Sequence, residues 1–448
     1  MCQDVNFLSA LERSGHARTG GGQLPDKAIH GHIEPGFEPV RAAFAENFDT
    51  RDELGASVSL VVGGRCVVDL WGGSVAPEGG AWQADTVHVV FSCTKPATAL
   101  CAHVLAAGGA LDLDAPLRDI WPELLAAKAG ATLRMMLDHS LGLPALRETV
   151  KPDALTDTAY MTDLLARQAP YWTPGTRVGY HALTYGFVIG EVVRRVTGQS
   201  LGTVFRNEIA APLGLDFHIG LPASEEGRVA PVLPYRPGRD EPASAFMEAA
   251  RQTGTVTNAF TFNSGDWAVR GVNTRAGRAA EIGAAGGVGN ARSLAKLFAA
   301  LVEGGTKIGL CPDQVADFAE ASSATHCDET LRVPTRFGPG FMLRMDNRAA
   351  SRSGEGFLIG DHAFGHIGAG GSVAFADPDA GLAFGYTMNR LGPGLLLSPR
   401  NVRGQALIDA AYTCLGYRMT TQARWTRNAS EHRRPDTPDA HYQGRTTT

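Results

Sequence analysis

The chain has 448 residues, of which 44% are hydrophobic and 19% charged, and its formal net charge is −5. That length suits two or three domains or one large mixed body, with apolar residues enough for a sizeable core. The mild negative charge excludes the basic footprint of a dedicated nucleic-acid binder, and no apolar run approaches the ~18–20 residues of a membrane-spanning helix.

The N-terminus, MCQDVNFLSALERSGHARTGGGQ, lacks the basic start and apolar core of a secretory leader. Seven cysteines, none in a C-x-x-C pair, fit reduced thiols in a cytoplasmic protein rather than a disulfide framework or a zinc site. The sequon Asn428-Ala429-Ser430 has no meaning without secretion. Residues 1–30 read as a mobile polar segment, and 419–448 as a disordered tail without apolar periodicity.

Between these ends the first element is a helix over Phe37–Phe48, with Phe37, Val40, Phe44 and Phe48 at helical spacing. Two strands follow, Ser57–Val62 and Arg65–Trp71, joined by Gly63-Gly64 as a hairpin. A short apolar strand at Val87–Phe91 leads to Ser92, the expected N-cap of a helix over Ala97–Ala107. Helices are predicted at Ala182–Val196 and Leu201–Ala211 within a mostly helical stretch, 111–275. Strands at Gly371–Ala376 and Leu382–Met388, turned at Asp377-Pro378-Asp379, precede a last helix over Asn401–Cys414. Helix, hairpin, long middle, hairpin, helix predicts an α/β (α+β) body. Both chain ends, 31–110 and 276–418, build one antiparallel sheet flanked by helices, and 111–275 is a helical insertion domain.

Only six of the 41 basic residues are lysines, so a lysine beside a nucleophile is informative. Ser92 and Lys95 lie three apart at a helix start, and side chains at that spacing share a face. A serine hydroxyl needs a base to take its proton. Lysine serves only if burial or cationic neighbours lower its pKa, and the helix N-terminus offers N–H groups to an oxyanion. A second Ser-x-x-Lys, Ser293/Lys296, opens a helix with no buried strand before it and reads as an N-cap serine with a solvent-facing lysine. Tyr180 follows the turn Pro174-Gly175 just before a helix. A phenol there is either a packing residue or, next to a cationic lysine that favours phenolate, part of a proton path. Clustered glycines around His366-Ile367-Gly368-Ala369 point to a close approach by ligand or backbone. His362 and His366 are four apart, but Phe364-Gly365 speaks against a metal-binding helix. Cys93 reads as a small packing residue. No G-x-S-x-G elbow of an α/β-hydrolase is present.

A Ser-x-x-Lys at a helix start, a tyrosine roughly 90 residues on and a His-x-Gly before a C-terminal strand pair resemble the serine β-lactamase and penicillin-binding-protein superfamily. The likeness is to its class C branch and family VIII carboxylesterases. Asp69-Leu-Trp-Gly-Gly73, Leu137-Asp-His139-Ser-Leu-Gly142, Gly286-Gly287 through Lys296, and Asn389-Arg390 fit the same pattern.

The resemblance implies that sheet fold, with Ser92 as acyl-accepting nucleophile, Lys95 as base and Tyr180 in proton transfer. It places the oxyanion hole at the N–H groups of Ser92 and Ala369, with His366 and Gly368 beside the substrate. It implies a cofactor-free hydrolase acting on a small-molecule ester, with no metal, nucleic-acid or membrane partner. Two departures matter. Tyr180-His181-Ala182 lacks the lactamases' Tyr-x-Asn amide, and His366-Ile367-Gly368 replaces Lys-Thr-Gly, losing a permanent cation. Both favour an ester over a β-lactam. Acyl transfer, amide hydrolysis and a silent acyl-ligand binder share the same residues and remain open alternatives, and the oligomeric state is not legible.

Overall fold

The computed structural model describes residues 28–124, 128–236, 243–349 and 355–427. The sequon and the N-terminal segment up to residue 27 lie outside them. Its main element is an antiparallel sheet of β1 (Ile29–Ile33), β2 (Gly55–Val62), β3 (Arg65–Ala76), β4 (Ser323–Thr325), β5 (Thr335–Gly338), β6 (Phe341–Leu343), β7 (Phe364–Ile367), β8 (Val373–Asp377) and β9 (Leu382–Met388). The spatial order is β1-β3-β2-β9-β8-β7-β6-β5-β4, and Gly79–Ala81 adds to β3. The N-terminal hairpin and the C-terminal strands meet at the β2–β9 pair, where Val58 faces Tyr386 and Leu60 faces Phe384. Both residues of the β2–β3 turn have positive φ, Gly63 at 54° and Gly64 at 78°. That geometry matches the twist of the flanking strands and is open to glycine at no steric cost.

Alternation along the strands sends side chains to two cores. On one face α1 (Glu38–Thr50) and α5 (Arg403–Cys414) bring Val40, Phe44, Leu407, Ile408 and Ala411 onto Val58, Leu60, Phe375, Phe384 and Tyr386. Each such large side chain removed from water contributes roughly 1.5–3 kcal/mol before entropy is counted. The other face carries α2 (Thr94–Ala107) and α4 (Ala291–Val302), packed with α3 (Thr184–Thr197) into the second core. Gly385 on β9 has no side chain because a Cβ there would lie 2.3 Å from the Ala291 carbonyl oxygen. The helix therefore rests directly on the sheet.

The antiparallel sheet between helices is the expected one, with shifted ends. Residues 111–275 hold mostly short helices, including Thr158–Arg167, α3 and a run from Leu201 to Leu213 that widens into a π-turn at Arg206–Ala210. They also hold a two-residue strand, Phe217–His218, which pairs with Val288–Gly289. The latter pairs in turn with His88–Val89, so the strand before Ser92 belongs to this small sheet and not to the main one.

Two expectations fail at the chain ends. Ile29 and His30, placed in the mobile segment, are in β1, and residues 419–427 are ordered. Tyr417–Met419 pairs with Trp425–Arg427. Trp425 stacks on Tyr412 with ring centroids 4.7 Å apart, and its indole N–H donates to the Leu358 carbonyl at 3.1 Å. One buried aromatic anchors this hairpin, and a three-residue strand has no periodicity for a sequence reading to detect. No helix among the described residues is long and apolar enough to cross a membrane.

Candidate active site

Ser92 lies on a single 3₁₀ turn, Phe91–Cys93, that runs into α2. It is therefore not the helix N-cap. The turn closes through the Cys93 N–H on the Val90 carbonyl and the Thr94 hydroxyl on the Phe91 carbonyl. Phe91 takes a positive φ of 48°, a conformation an aromatic residue adopts only when its surroundings impose it. Its ring packs on Trp267 and is buried. The strained corner turns the Ser92 side chain off the strand direction and leaves it half-buried, while its neighbours are buried.

Two groups meet Ser92 Oγ. The Tyr180 hydroxyl donates to it at 2.7 Å, and Lys95 Nζ lies 3.2 Å away. Lys95 is fully buried, and Nζ donates to the carbonyls of Ala182 and Ala284, each at 2.9 Å. Desolvation holds its pKa well below the usual lysine range. A neutral amine has two N–H bonds and one lone pair. In that form the two carbonyls would take both N–H groups and the lone pair would face the serine. Burial pushes the Tyr180 phenol upward, with its bond to Ser92 pulling weakly the other way. Burial thus disfavours the charged form of both groups, lowering the lysine and raising the phenol. The amine sits 4.6 Å from the centre of the Tyr180 ring.

The glycines explain how the lysine acceptors come so close. A Cβ on Gly186 in α3 would lie 2.3 Å from the Ala284 nitrogen, and one on Gly283 2.9 Å from Thr98 Oγ1. Without side chains at both, segment 283–287 can settle between α2 and α3 and aim the Ala284 carbonyl at Lys95.

The second expected wall of the site is the end of β7. A Cβ on Gly368 would meet the Val90 carbonyl oxygen at 2.3 Å. The Cys93 thiol, buried and with its pKa pushed up to about 12, donates to the His366 carbonyl at 3.4 Å. These contacts hold the strand end against the serine turn. Ala369, the other expected oxyanion donor beside Ser92, follows β7 in the turn that the Gly368 N–H closes on the Ser372 carbonyl at 2.7 Å. His366 itself is buried, with Nδ1 2.8 Å from the Ile367 carbonyl and Nε2 without a partner among the described residues. Burial, and then Lys95, push its pKa down to about 3, so it carries no charge near neutrality.

The other candidates fall elsewhere. Ser293 is in the first turn of α4, whose N-cap is Asn290, and its hydroxyl accepts from the Asp216 N–H at 2.9 Å. Lys296 is exposed. His362 is in a surface turn, 2.7 Å from Asp379, and shares no site with His366.

The β-lactamase family model matches residues 40–406. The chain belongs to the β-lactamase family. It is 34% identical over 384 residues to the esterase/β-lactamase LipL of Mycobacterium tuberculosis, covering 83% of this chain and 85% of that one. It is similar to the crystal structure of a family VIII carboxylesterase, with 38% identity and a TM-score of 0.71 over 86% of this chain and 100% of that one. A penicillin-binding-protein homologue from Caulobacter crescentus has 34% identity and a TM-score of 0.73, over 86% and 100% of the two chains.

Sequence reasoning missed the groups that orient this family site. The Ala182 and Ala284 carbonyls were unreadable because any residue supplies a carbonyl, although Gly283, Gly286 and Gly287 mark the close approach. His139, recognised only as part of a motif, adopts a φ of 66° and packs its ring 4.9 Å from that of Tyr180. Burial, with His181 and Lys95 nearby, keeps it neutral. Asp328 was not singled out at all.

Proposed function

We propose that this carboxylesterase-type serine hydrolase cleaves small or medium carboxylic esters through an acyl-enzyme on Ser92. Neutral Lys95 takes the hydroxyl proton as Ser92 Oγ bonds to the ester carbonyl carbon, and the carbonyl electron pair moves onto oxygen. The N–H groups of Ser92 and Ala369 receive that oxyanion in a buried, preorganised setting. When the carbonyl re-forms, the C–O bond to the alcohol breaks and the leaving oxygen takes a proton from Tyr180, which is reprotonated by the Lys95 ammonium. Water then attacks the acyl carbon by the same route reversed, Ser92 Oγ regains a proton, and the carboxylic acid leaves. Each step uses only protons already on these three side chains, water and the ester, so no cofactor enters.

One observation carries this reading: Ser92 Oγ stands 2.7 Å from a phenol and 3.2 Å from a buried lysine nitrogen that also donates to two carbonyls. The preference for an ester over a β-lactam rests on charge. His366 stands where a lysine would bind an antibiotic's carboxylate, and with a pKa near about 3 it gives no cation there.

Incubation with p-nitrophenyl butyrate, followed by intact-mass spectrometry and peptide mapping, should trap a butyryl group on Ser92. Ser92→Ala should show neither adduct nor turnover. Wild-type turnover in purified Ser92→Ala would end the assignment. Nitrocefin should be hydrolysed far more slowly than the ester, and equal efficiency would remove the charge argument for the substrate class.

A further inference from the structure

The proposed role of Tyr180 demands that its hydroxyl stay within hydrogen-bond reach of Ser92, yet residues 171–183 form no helix or strand. Three consecutive amides in that stretch are nevertheless held. Gly179 N–H donates to the His139 carbonyl at 3.2 Å, and His181 N–H to His139 Nδ1 at 3.1 Å. Between them, Tyr180 N–H donates to both carboxylate oxygens of Asp328, at 3.0 and 3.1 Å.

Asp328 is fully buried, 148 residues away in sequence, and it is saturated. One oxygen also accepts from the N–H groups of Thr330 and Leu331, each at 2.8 Å, and the other from the Thr335 hydroxyl at 3.2 Å. A carboxylate serving only its own turn would need just the bonds to Thr330 and Leu331. The turn it closes leads into β5, where Phe337 stacks on the Tyr180 ring with centroids 6.1 Å apart and planes 9° from parallel. The Glu329 N–H also donates to the Val178 carbonyl at 3.1 Å. One segment therefore grips the tyrosine by its backbone and by its ring. A buried carboxylate is costly, and desolvation raises its pKa to about 6. A solvent-facing side chain would hold the turn without that cost.

We propose that Asp328 is a positioning residue that acts through Tyr180, holding the phenol on Ser92 by gripping the Tyr180 amide. The inference rests on the role given to Tyr180 above, and a double-mutant cycle separates the two. The variants are Tyr180→Phe, Asp328→Ala and the pair, with kcat and KM measured on a p-nitrophenyl ester and folding checked by thermal melts. Asp328→Ala should lower kcat by about 10²-fold with KM little changed, the scale of loss from ~1 Å of misplacement. In the Tyr180→Phe background it should cost almost nothing more. Asp328→Asn can keep one oxygen on the three amides and turn its NH₂ to the Thr335 hydroxyl, so it should recover most of the kcat lost in Asp328→Ala. If Asp328→Ala fails to fold, Asp328→Ser takes its place in the cycle with the same expectation.

Additive losses in the pair, or an Asn variant as slow as the Ala variant, would overturn the positioning role. A fully active Tyr180→Phe would instead overturn the reading of Tyr180 itself, and with it the need to position that side chain.

Discussion

Lys95→Met is the perturbation that best isolates the proposed base, because methionine is similar in length and has no proton to exchange. The rate loss follows from losing general-base assistance, typically 10²–10⁴-fold, or about 2.7–5.4 kcal/mol of barrier. The stability change has two opposing parts. The Ala182 and Ala284 carbonyls lose their donor inside the protein, and an unsatisfied buried acceptor costs about 1–3 kcal/mol. Against this, the fold no longer has to dehydrate an amine. A net cost of about 1–2 kcal/mol would lower Tm by a few degrees in a protein of this size, so the variant should be folded and assayable.

Stopped-flow release of p-nitrophenol measures acylation directly, and intact mass reports whether Ser92 is acylated at all. A folded Lys95→Met variant acylating within tenfold of wild type would refute the argument that this amine is the base. Stability against pH gives an independent check with a fixed sign. Lys95 titrates well below its ordinary value in the folded protein and near ~10.4 in the unfolded chain. Between those two values the unfolded chain binds the extra proton. Stability relative to Lys95→Met should therefore fall as pH is lowered from about 10.4 toward the folded-state pKa. A flat difference would mean that the folded protein keeps a protonated Lys95.

Other outcomes follow from particular contacts. Gly186→Ala should push the Ala284 carbonyl away from Lys95, because its Cβ would sit 2.3 Å from backbone; at least a tenfold loss of kcat and about 1–3 kcal/mol of overpacking are expected, read by kinetics and melts. Glu355 is buried and its pKa is raised from 4.5 to about 7 by desolvation, partly offset by Arg400. Its favourable contribution is present at acid pH and lost as pH rises through about 7. Glu355→Gln should then raise Tm at pH 8, by no more than the equivalent of about 3 kcal/mol, and leave it almost unchanged at about pH 4, below the unfolded pKa; the reverse order would reject the shift. Ser293→Ala and Lys296→Ala should leave ester turnover intact, with Ser293→Ala losing about 1 kcal/mol as the Asp216 N–H loses its acceptor. A large kinetic loss at either would mean that the wrong Ser–Lys pair was chosen.

How much was legible in the sequence depended on the range of the interaction. Alternation at β2 and β9, the Gly63-Gly64 turn and the helical spacing of Phe37, Val40, Phe44 and Phe48 act within a few residues, so they could be read directly. The Ser92–Lys95 pair was legible for the same reason, since three residues along a helix places two side chains together wherever that helix lies. The hairpin of Trp425 was not, because its stability comes from Tyr412 and Leu358 rather than from its own pattern.

What the sequence determined by itself was therefore the elements with a local pattern, such as the β2–β3 hairpin, β8, β9 and helices α1, α3 and α5, and the chemical identities of Ser92, Lys95 and Tyr180. The protonation states were settled by tertiary packing. Whether Lys95 is an amine or an ammonium depends on burial beneath Tyr180 and on carbonyls 87 and 189 residues away. The segment that carries Tyr180 to Ser92 is held by hydrogen bonds to His139 and Asp328. Desolvation and long-range hydrogen bonds belong to the assembled surroundings of a residue. No window of the chain contains them until distant segments meet.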